Sequence, residues 1–460
     1  MSAQELTLLQ KLKSSNASER KNALETLIVE ELDTDYIEVV SHLFSDPDKG
    51  VRDAASMLFS MKQNPEIPKY IVRYIFSEDI SIRNMAGEVL LKMREKSIPA
   101  LMNEMGQGNS DDEKFIIDLL GWIGNPEPTS KIIEVLTTNT DENVILACAE
   151  ALGNIKSEEA VPHLLALVEN DPDEIWTPTV MEALGKIGNK ETIDHFLKVY
   201  NEQDILTKYT IIESLGRVGD VESLQFLLEE LSKTESVLVG SIVKSSENLL
   251  SKLGLEIEFN DELKSIILQA FDESDDEIVY SAVKLLIGYE DKNIIKGFVS
   301  IYGKSDEFDE IFRDKFFANP KTSTSLIRQR INKNGENKKD LLILYKDMML
   351  LSDQLGLDKP SDDNQLEFLN TLSTLIDNAD EEIRMVAAEL LFQINARDAL
   401  LFVDKLIYDD NVWNRLKLID LLSDVQEPEA LEIIKKLTKD SDDMVRERAE
   451  SILDEKQTRI

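Results

Sequence analysis

Few residues in this 460-residue sequence could carry acid–base, nucleophilic or metal chemistry. There are three histidines, His42, His163 and His195, and a single cysteine, Cys148. A structural zinc site takes four close ligands, usually including several cysteines, and this inventory cannot supply one. His163 and His195 stand 32 residues apart, at matching points of a repeat. Neighbouring helices lie about 8–10 Å apart, too far for two such rings to share a metal with ease. Cys148 falls among Val144, Ala151 and Leu152 at helical spacing, which predicts a small buried hydrophobe rather than a nucleophile. No Gly-x-x-x-x-Gly-Lys-Ser/Thr or Gly-x-Gly-x-x-Gly phosphate loop occurs. The 89 Asp and Glu residues are too many for spacing to pick out a catalytic pair. Trp122, Trp176 and Trp413 have no companion motif. The expectation is a chain without catalysis, metal or cofactor.

The elements that must position these side chains recur at a fixed period. Leu120-Gly121, Leu152-Gly153, Leu184-Gly185 and Leu215-Gly216 share one phrase, their glycines 32, 32 and 31 residues apart. A second phrase opens other units: Asp48-x-x-Val51-Arg52, Asp79-x-x-Ile82-Arg83, Asp380-x-x-Ile383-Arg384 and Asp442-x-x-Val445-Arg446. Apolar residues recur at three and four rather than two, so each unit reads as a pair of helices and no run reads as strand. The Asp is expected to cap the first helix by accepting from free backbone amides. The Leu-Gly is expected to end that helix, with Gly in the left-handed conformation. Pro162, after Val161, suits the first turn of a second helix.

The two phrases resemble HEAT repeats, in the short-period form also found in phycobilin lyases. The resemblance runs over residues 16–302 and 366–456. It implies an all-α superhelix, a HEAT-repeat solenoid of roughly 12–14 helix pairs. It also implies a binding scaffold, or alternatively a chromophore-handling protein of the lyase type. Residues 232–272 keep helical periodicity but lose both phrases. Residues 303–365 lose the period and carry turn signals at Asn319-Pro320, Asn332-Lys333-Asn334-Gly335 and Lys359-Pro360-Ser361. Two or three longer helices are expected there, one near 338–356. The chain is thus expected to comprise an N-terminal arm (1–302), an irregular basic insert (303–365) and a C-terminal arm closed by a capping helix (366–460).

Helical phase sorts the faces. Glu25, Glu88, Asp118, Glu150, Glu182, Glu213, Glu389, Asp420 and Glu450 occupy one outward position of successive first helices. Such a column is ordinarily a solvated face, and otherwise a docking surface for a basic protein. The matching position of the second helices holds Lys69, Ala100, Lys131, His163, His195 and Phe226, with no acid among them. Residues 313–346 reverse the local charge, with nine basic side chains against three acids. The bases include Lys321, Arg328, Arg330 and Lys333. Partner-binding candidates are therefore Lys69, Lys131, His163, His195, Phe226, Lys321, Arg328, Arg330 and Lys333.

Formal net charge is −38. That field opposes nucleic acid and anionic membrane, because both are recognised by neutralising phosphates. A nucleic-acid enzyme on a helical scaffold has the wrong charge sign. With one cysteine, no basic-then-apolar leader and no long apolar run, a cytoplasmic protein is expected, outside the membrane. The expected role is a scaffold or adaptor binding another protein through the second-helix wall of the N-terminal arm and the basic insert.

Overall fold

The computed structural model describes residues 3–29, 32–62, 64–170, 177–233, 237–333, 337–357 and 363–458, and every element among them is helical. Trp176 and the turns at Asn334-Gly335 and Lys359-Pro360-Ser361 lie outside the described residues. Among the described residues, no helix is long and apolar enough to cross a membrane. The chain divides into two compact units, residues 1–258 and 259–460.

In the first unit, the first helices of successive pairs stack side by side. Ser110–Ile123 packs on Glu142–Ile155, and then come Thr177–Ile187, Ile205–Val218 and Val239–Leu253. The second helices Thr129–Thr138, Val161–Asn170, Lys190–Val199 and Val221–Lys233 are interleaved with them along the chain. The leucines of the repeated phrase, Leu120, Leu152, Leu184 and Leu215, are fully buried between helices. Each such burial stabilises by about 1.5–3 kcal/mol, which is why the phrase recurs.

The repeated aspartates are N-caps. Asp48 accepts from the Val51 amide at 3.1 Å, Asp79 from Ser81 at 2.8 Å, Asp380 from Glu382 at 2.8 Å and Asp442 from Met444 at 2.9 Å. A cap of this kind contributes about 1 kcal/mol.

The Leu-Gly glycines do not end their helices. Gly121, Gly153, Gly185 and Gly216 lie inside the helices and are buried. Their role is close approach. A Cβ on Gly121 would fall 2.7 Å from the Ala151 Cα, and one on Gly153 2.7 Å from the Ala183 Cα. Gly185 and Gly216 face Ser214 and Ser245 of the next first helix in the same way. A glycine on one helix thus meets an alanine or serine on the next, and the stack is tight because neither carries bulk. The left-handed turn falls later: on Gly124 (φ 72°) and Gly188 (φ 67°), and on Lys156 (φ 58°) in the repeat between them.

Two arginines of the second phrase, Arg83 and Arg384, and Arg415 at the equivalent place after Asn411, tie successive repeats together, whereas Arg52 and Arg446 donate to carbonyls of their own turn. In the first unit, Arg83 reaches Asp112 at 2.7 Å. In the second unit, Arg384 grips Asp409 through two bonds of 2.8 and 2.9 Å. Arg415 donates to the Asp409 carbonyl at 2.6 Å and grips Asp440 through bonds of 2.9 and 3.0 Å. Arg446 then donates to the Asp440 carbonyl at 2.7 Å. The fork of a guanidinium matches a carboxylate on two bonds, so the ladder fixes orientation as well as distance. These arginine partners hold the Asp409 and Asp440 carboxyls below their ordinary values against the opposing effect of burial, the largest single influence on each.

In the second unit, the helix Lys292–Ile301 packs on Pro320–Asn332, which packs on Lys338–Leu350. Pro320, expected to mark a turn, starts a helix, where its missing N–H costs nothing. An aromatic spine locks this region. Phe271 stacks on Phe298 with ring centroids 5.9 Å apart, and Phe298 stacks on Phe312 at 4.7 Å. Offset stacks of this kind add about 0.5–1.5 kcal/mol each beyond area burial. They hold the segment 268–272, the helix Lys292–Ile301 and the helix Asp306–Ala318 in fixed register.

Candidate partner-binding cleft

Of the acid-free position on the second helices, Lys69 and His163 are exposed. Lys69 lies 4.0 Å from Glu66. Lys131 is engaged within the chain. Its ammonium donates to the Met102 carbonyl at 2.5 Å, at the C-terminal end of the helix Ile98–Glu104, where carbonyls lack intrahelical partners. His195 is half-buried, and burial pushes its imidazole below the ordinary value. Phe226 does not face water as helical phase predicts. It is half-buried, its ring edge-on to Tyr200 with centroids 5.0 Å apart.

Of the acidic column, Glu25, Glu88, Glu150, Glu182 and Glu450 are exposed, with Glu88 and Glu182 paired one turn on to Lys92 at 2.7 Å and Lys186 at 3.0 Å, and Asp118 pairs with Lys114 at 2.6 Å. Glu389 sits between Lys346 at 3.0 Å and Lys417 at 2.7 Å, and Asp420 meets Arg448 at 2.7 Å. Cys148 is buried, and burial pushes its thiol up. Among the described residues, no three His, Cys, Asp or Glu side chains converge where a metal could sit.

The basic cluster separates into two kinds of side chain. Arg313 pairs with Asp347 at 3.0 Å, Lys339 with Glu382 at 2.5 Å and Asp380 at 3.3 Å, and Lys346 with Glu389. Arg328 is buried and Lys321 exposed. Arg330 and Lys333 instead join Lys264, Lys292 and Lys296 around a cleft of about 630 Å³.

The cleft lies across residues 261–272, Lys292–Ile301 and Pro320–Asn332, ending at Lys333. Its apolar lining is Leu268, Phe271, Ile294, Val299 and Leu326, and Gly297 lies between them. A Cβ at Gly297 would meet the Leu268 Cδ2 at 2.6 Å and the Phe271 ring at 3.0 Å, so glycine allows the two helices to close up. Around the apolar lining stand five cations and three acids, Asp261, Asp272 and Asp291. Two of those acids are committed to Lys264, at 3.0 Å from Asp291 and 3.5 Å from Asp261. The bond to Asp291 holds the Lys264 ammonium above its ordinary value. The Lys264 ammonium also lies 4.4 Å from the centre of the Tyr289 ring. Among the described residues, Lys292, Lys296, Arg330 and Lys333 enter no salt bridge, and the buried Arg330 Nε has no hydrogen-bond partner. Four uncommitted cations thus face one uncommitted acid, Asp272, on a chain of net charge −38.

Sequence reading singles out Arg330 and Lys333 but misses Lys264, Lys292 and Lys296. A signal exists. Lys264 and Lys296 are 32 residues apart and Arg330 follows after 34, close to the period of the N-terminal repeats. Carrying that period through the degenerate segment and past residue 302 aligns the three cations on consecutive second helices.

Residues 98–177 and 369–454 match the family model of HEAT repeats. No curated protein matches the sequence. Solved structures with similarity include importin beta in a polyethylene glycol condition, at 11% identity over 98% of this chain and 76% of that one, TM-score 0.45. Kap121p bound to Nup53p is similar at 10% identity over 98% of this chain and 66% of that one, TM-score 0.44. A homology model of the full-length AP-3 complex in an intermediate open conformation is similar at 13% identity over 97% and 89%, TM-score 0.35. The resemblance to phycobilin lyases finds no support in these comparisons, and chromophore handling is not carried further.

Proposed function

We propose that this chain, whose residues 98–177 and 369–454 are HEAT repeats, is a non-enzymatic, cytoplasmic scaffold that holds a partner protein against its second-helix faces. The observation that carries the reading is the cleft of residues 261–333. Its cations Lys292, Lys296, Arg330 and Lys333 enter no salt bridge among the described residues, unlike Arg384, Arg415 or Lys346, and its floor carries the half-buried Leu268 over buried apolar side chains. Apolar surface ringed by uncommitted charge is the composition of a binding surface. In the N-terminal unit, the exposed Lys69 and His163 offer a secondary contact. Lys131 and Phe226 contribute to packing there rather than to capture.

The test is affinity capture from the native cell with the full chain, wild type against the double variant K296E/R330E, with K439E as an exposed control outside the cleft. A protein retained by wild type and K439E, and depleted at least tenfold by the double variant, is the expected result. Identical protein sets with all three chains contradict the reading.

A further inference from the structure

We infer that the cleft of residues 261–333 takes an extended segment of a partner protein with acidic residues at alternate positions and apolar residues between them. The inference rests on the scaffold reading and names the chemistry of its partner. Sign comes first. The four uncommitted cations against Asp272 are a local reversal on a chain of −38, so the complementary ligand is anionic. The surrounding field limits that ligand to a short anionic stretch. A long polyanion such as a duplex, or an anionic membrane, would be repelled by the rest of the surface.

Spacing gives the second constraint. Lys292 and Lys296 are one turn apart on one helix, and Arg330 and Lys333 one turn apart on another. Side chains one helical turn apart are separated by about 5–6 Å at Cβ. Alternate side chains of an extended chain are separated by about 6.6 Å. Successive acids on one edge of such a chain therefore meet successive cations.

The lining gives the third. The half-buried Leu268 lies over the buried Phe271, Val299 and Leu326, and together with the aliphatic stems of the lysines it gives the intervening side chains of the same chain an apolar contact. Three adjacent helices span about 16–20 Å, the length of roughly five or six extended residues. The exposed amides of Gln269 and Gln329 stand beside the cations and can bond the segment's backbone.

The experiment uses the full chain and fluorescein-labelled decapeptides read by anisotropy. One peptide alternates Glu with Val and Leu, a second carries Gln for each Glu, and a third carries one phosphoserine in the Gln background. The Glu peptide is expected to bind at least tenfold tighter than either other peptide, and to weaken as salt is raised. K296E/R330E should lose at least tenfold, and K439E, at an exposed lysine outside the cleft, should not change binding. Circular dichroism confirms that each variant is folded, and the milder K296Q/R330Q should lose affinity in the same direction. Equal binding of the Gln peptide, tighter binding of the phosphoserine peptide, tighter binding of a single-stranded oligonucleotide, or no binding of the Glu peptide at millimolar concentration overturns the inference. If cellular capture depends on the cleft while the Glu peptide fails, only the ligand assignment falls. If capture is independent of the cleft, the scaffold reading falls with it.

Discussion

Replacing Gly153 by alanine sets two physical effects against each other. Gly153 is inside the helix Glu142–Ile155, where alanine is favoured over glycine by about 1 kcal/mol. Propensity alone therefore predicts a more stable protein. Packing predicts the reverse. The new Cβ would lie 2.7 Å from the Ala183 Cα, 2.9 Å from its Cβ and 3.2 Å from its carbonyl oxygen. The first of these is backbone, so no rotamer change relieves it, and the helix must move by several tenths of an ångström. That helix is held on its other side as well, because Ala151 faces Gly121 across an equally close contact. Overpacking of this kind costs about 1–3 kcal/mol, and subtracting the propensity gain leaves a net loss of up to about 2 kcal/mol. For a unit of this size each kcal/mol lowers the midpoint by roughly 2–4 °C. Thermal unfolding by circular dichroism should show the drop, and amide exchange should rise in the helices Glu142–Ile155 and Thr177–Ile187. A midpoint raised by the substitution would refute the close-approach role of these glycines.

Other expectations follow from the ion-pair ladder and from the engaged lysine. Arg415→Ala leaves the Asp440 carboxylate buried without its guanidinium and should cost about 3–5 kcal/mol, read by urea unfolding; Arg415→Lys, which keeps the charge but not the fork, should restore little of it. Because Asp440 is held below the ordinary carboxylate value, the stability from this pair is present above about pH 4 and is lost as pH falls through the lower folded value. The gap between wild type and Arg415→Ala should therefore narrow as unfolding is measured from pH 6 down to pH 3, and a gap independent of pH would contradict the pairing. Lys131→Met, which leaves the Met102 carbonyl without its donor, should cost about 1 kcal/mol in stability and leave partner capture unchanged.

Local chemistry was legible in the sequence where one residue acts on its own neighbours. Asp48, Asp79, Asp380 and Asp442 cap helices because a carboxylate two or three residues before free amides has little else to do. The period predicted stacked helix pairs, and buried Leu120, Leu152, Leu184 and Leu215 carry it. What failed depends on the next repeat. Whether a glycine ends a helix or admits a neighbour is decided by what stands opposite, and Ala151 and Ala183 are 30 residues further on. Helical phase gives the direction of Lys131 and Phe226 but not the reach of a neighbouring element, so a carbonyl and a tyrosine ring were invisible. The arginine in the second phrase had no assigned role. Asp409, the partner of Arg384, and Asp440, the partner of the equivalent Arg415, stand two residues ahead of Asn411 and Asp442, recur at the same interval and were readable in principle. The cleft was half visible, since Arg330 and Lys333 lie in a basic run, whereas Lys264, Lys292 and Lys296 lie among acids in sequence and meet the others only through the stacking of second helices.

The most direct test of the scaffold account is hydrogen–deuterium exchange on the full chain, alone and bound to a partner recovered by the cleft-dependent capture. Slowed exchange is expected in residues 261–272, Lys292–Ile301 and Pro320–Asn332, three segments far apart in sequence that share the cleft. Protection confined to other helices, with these three unchanged, would contradict it.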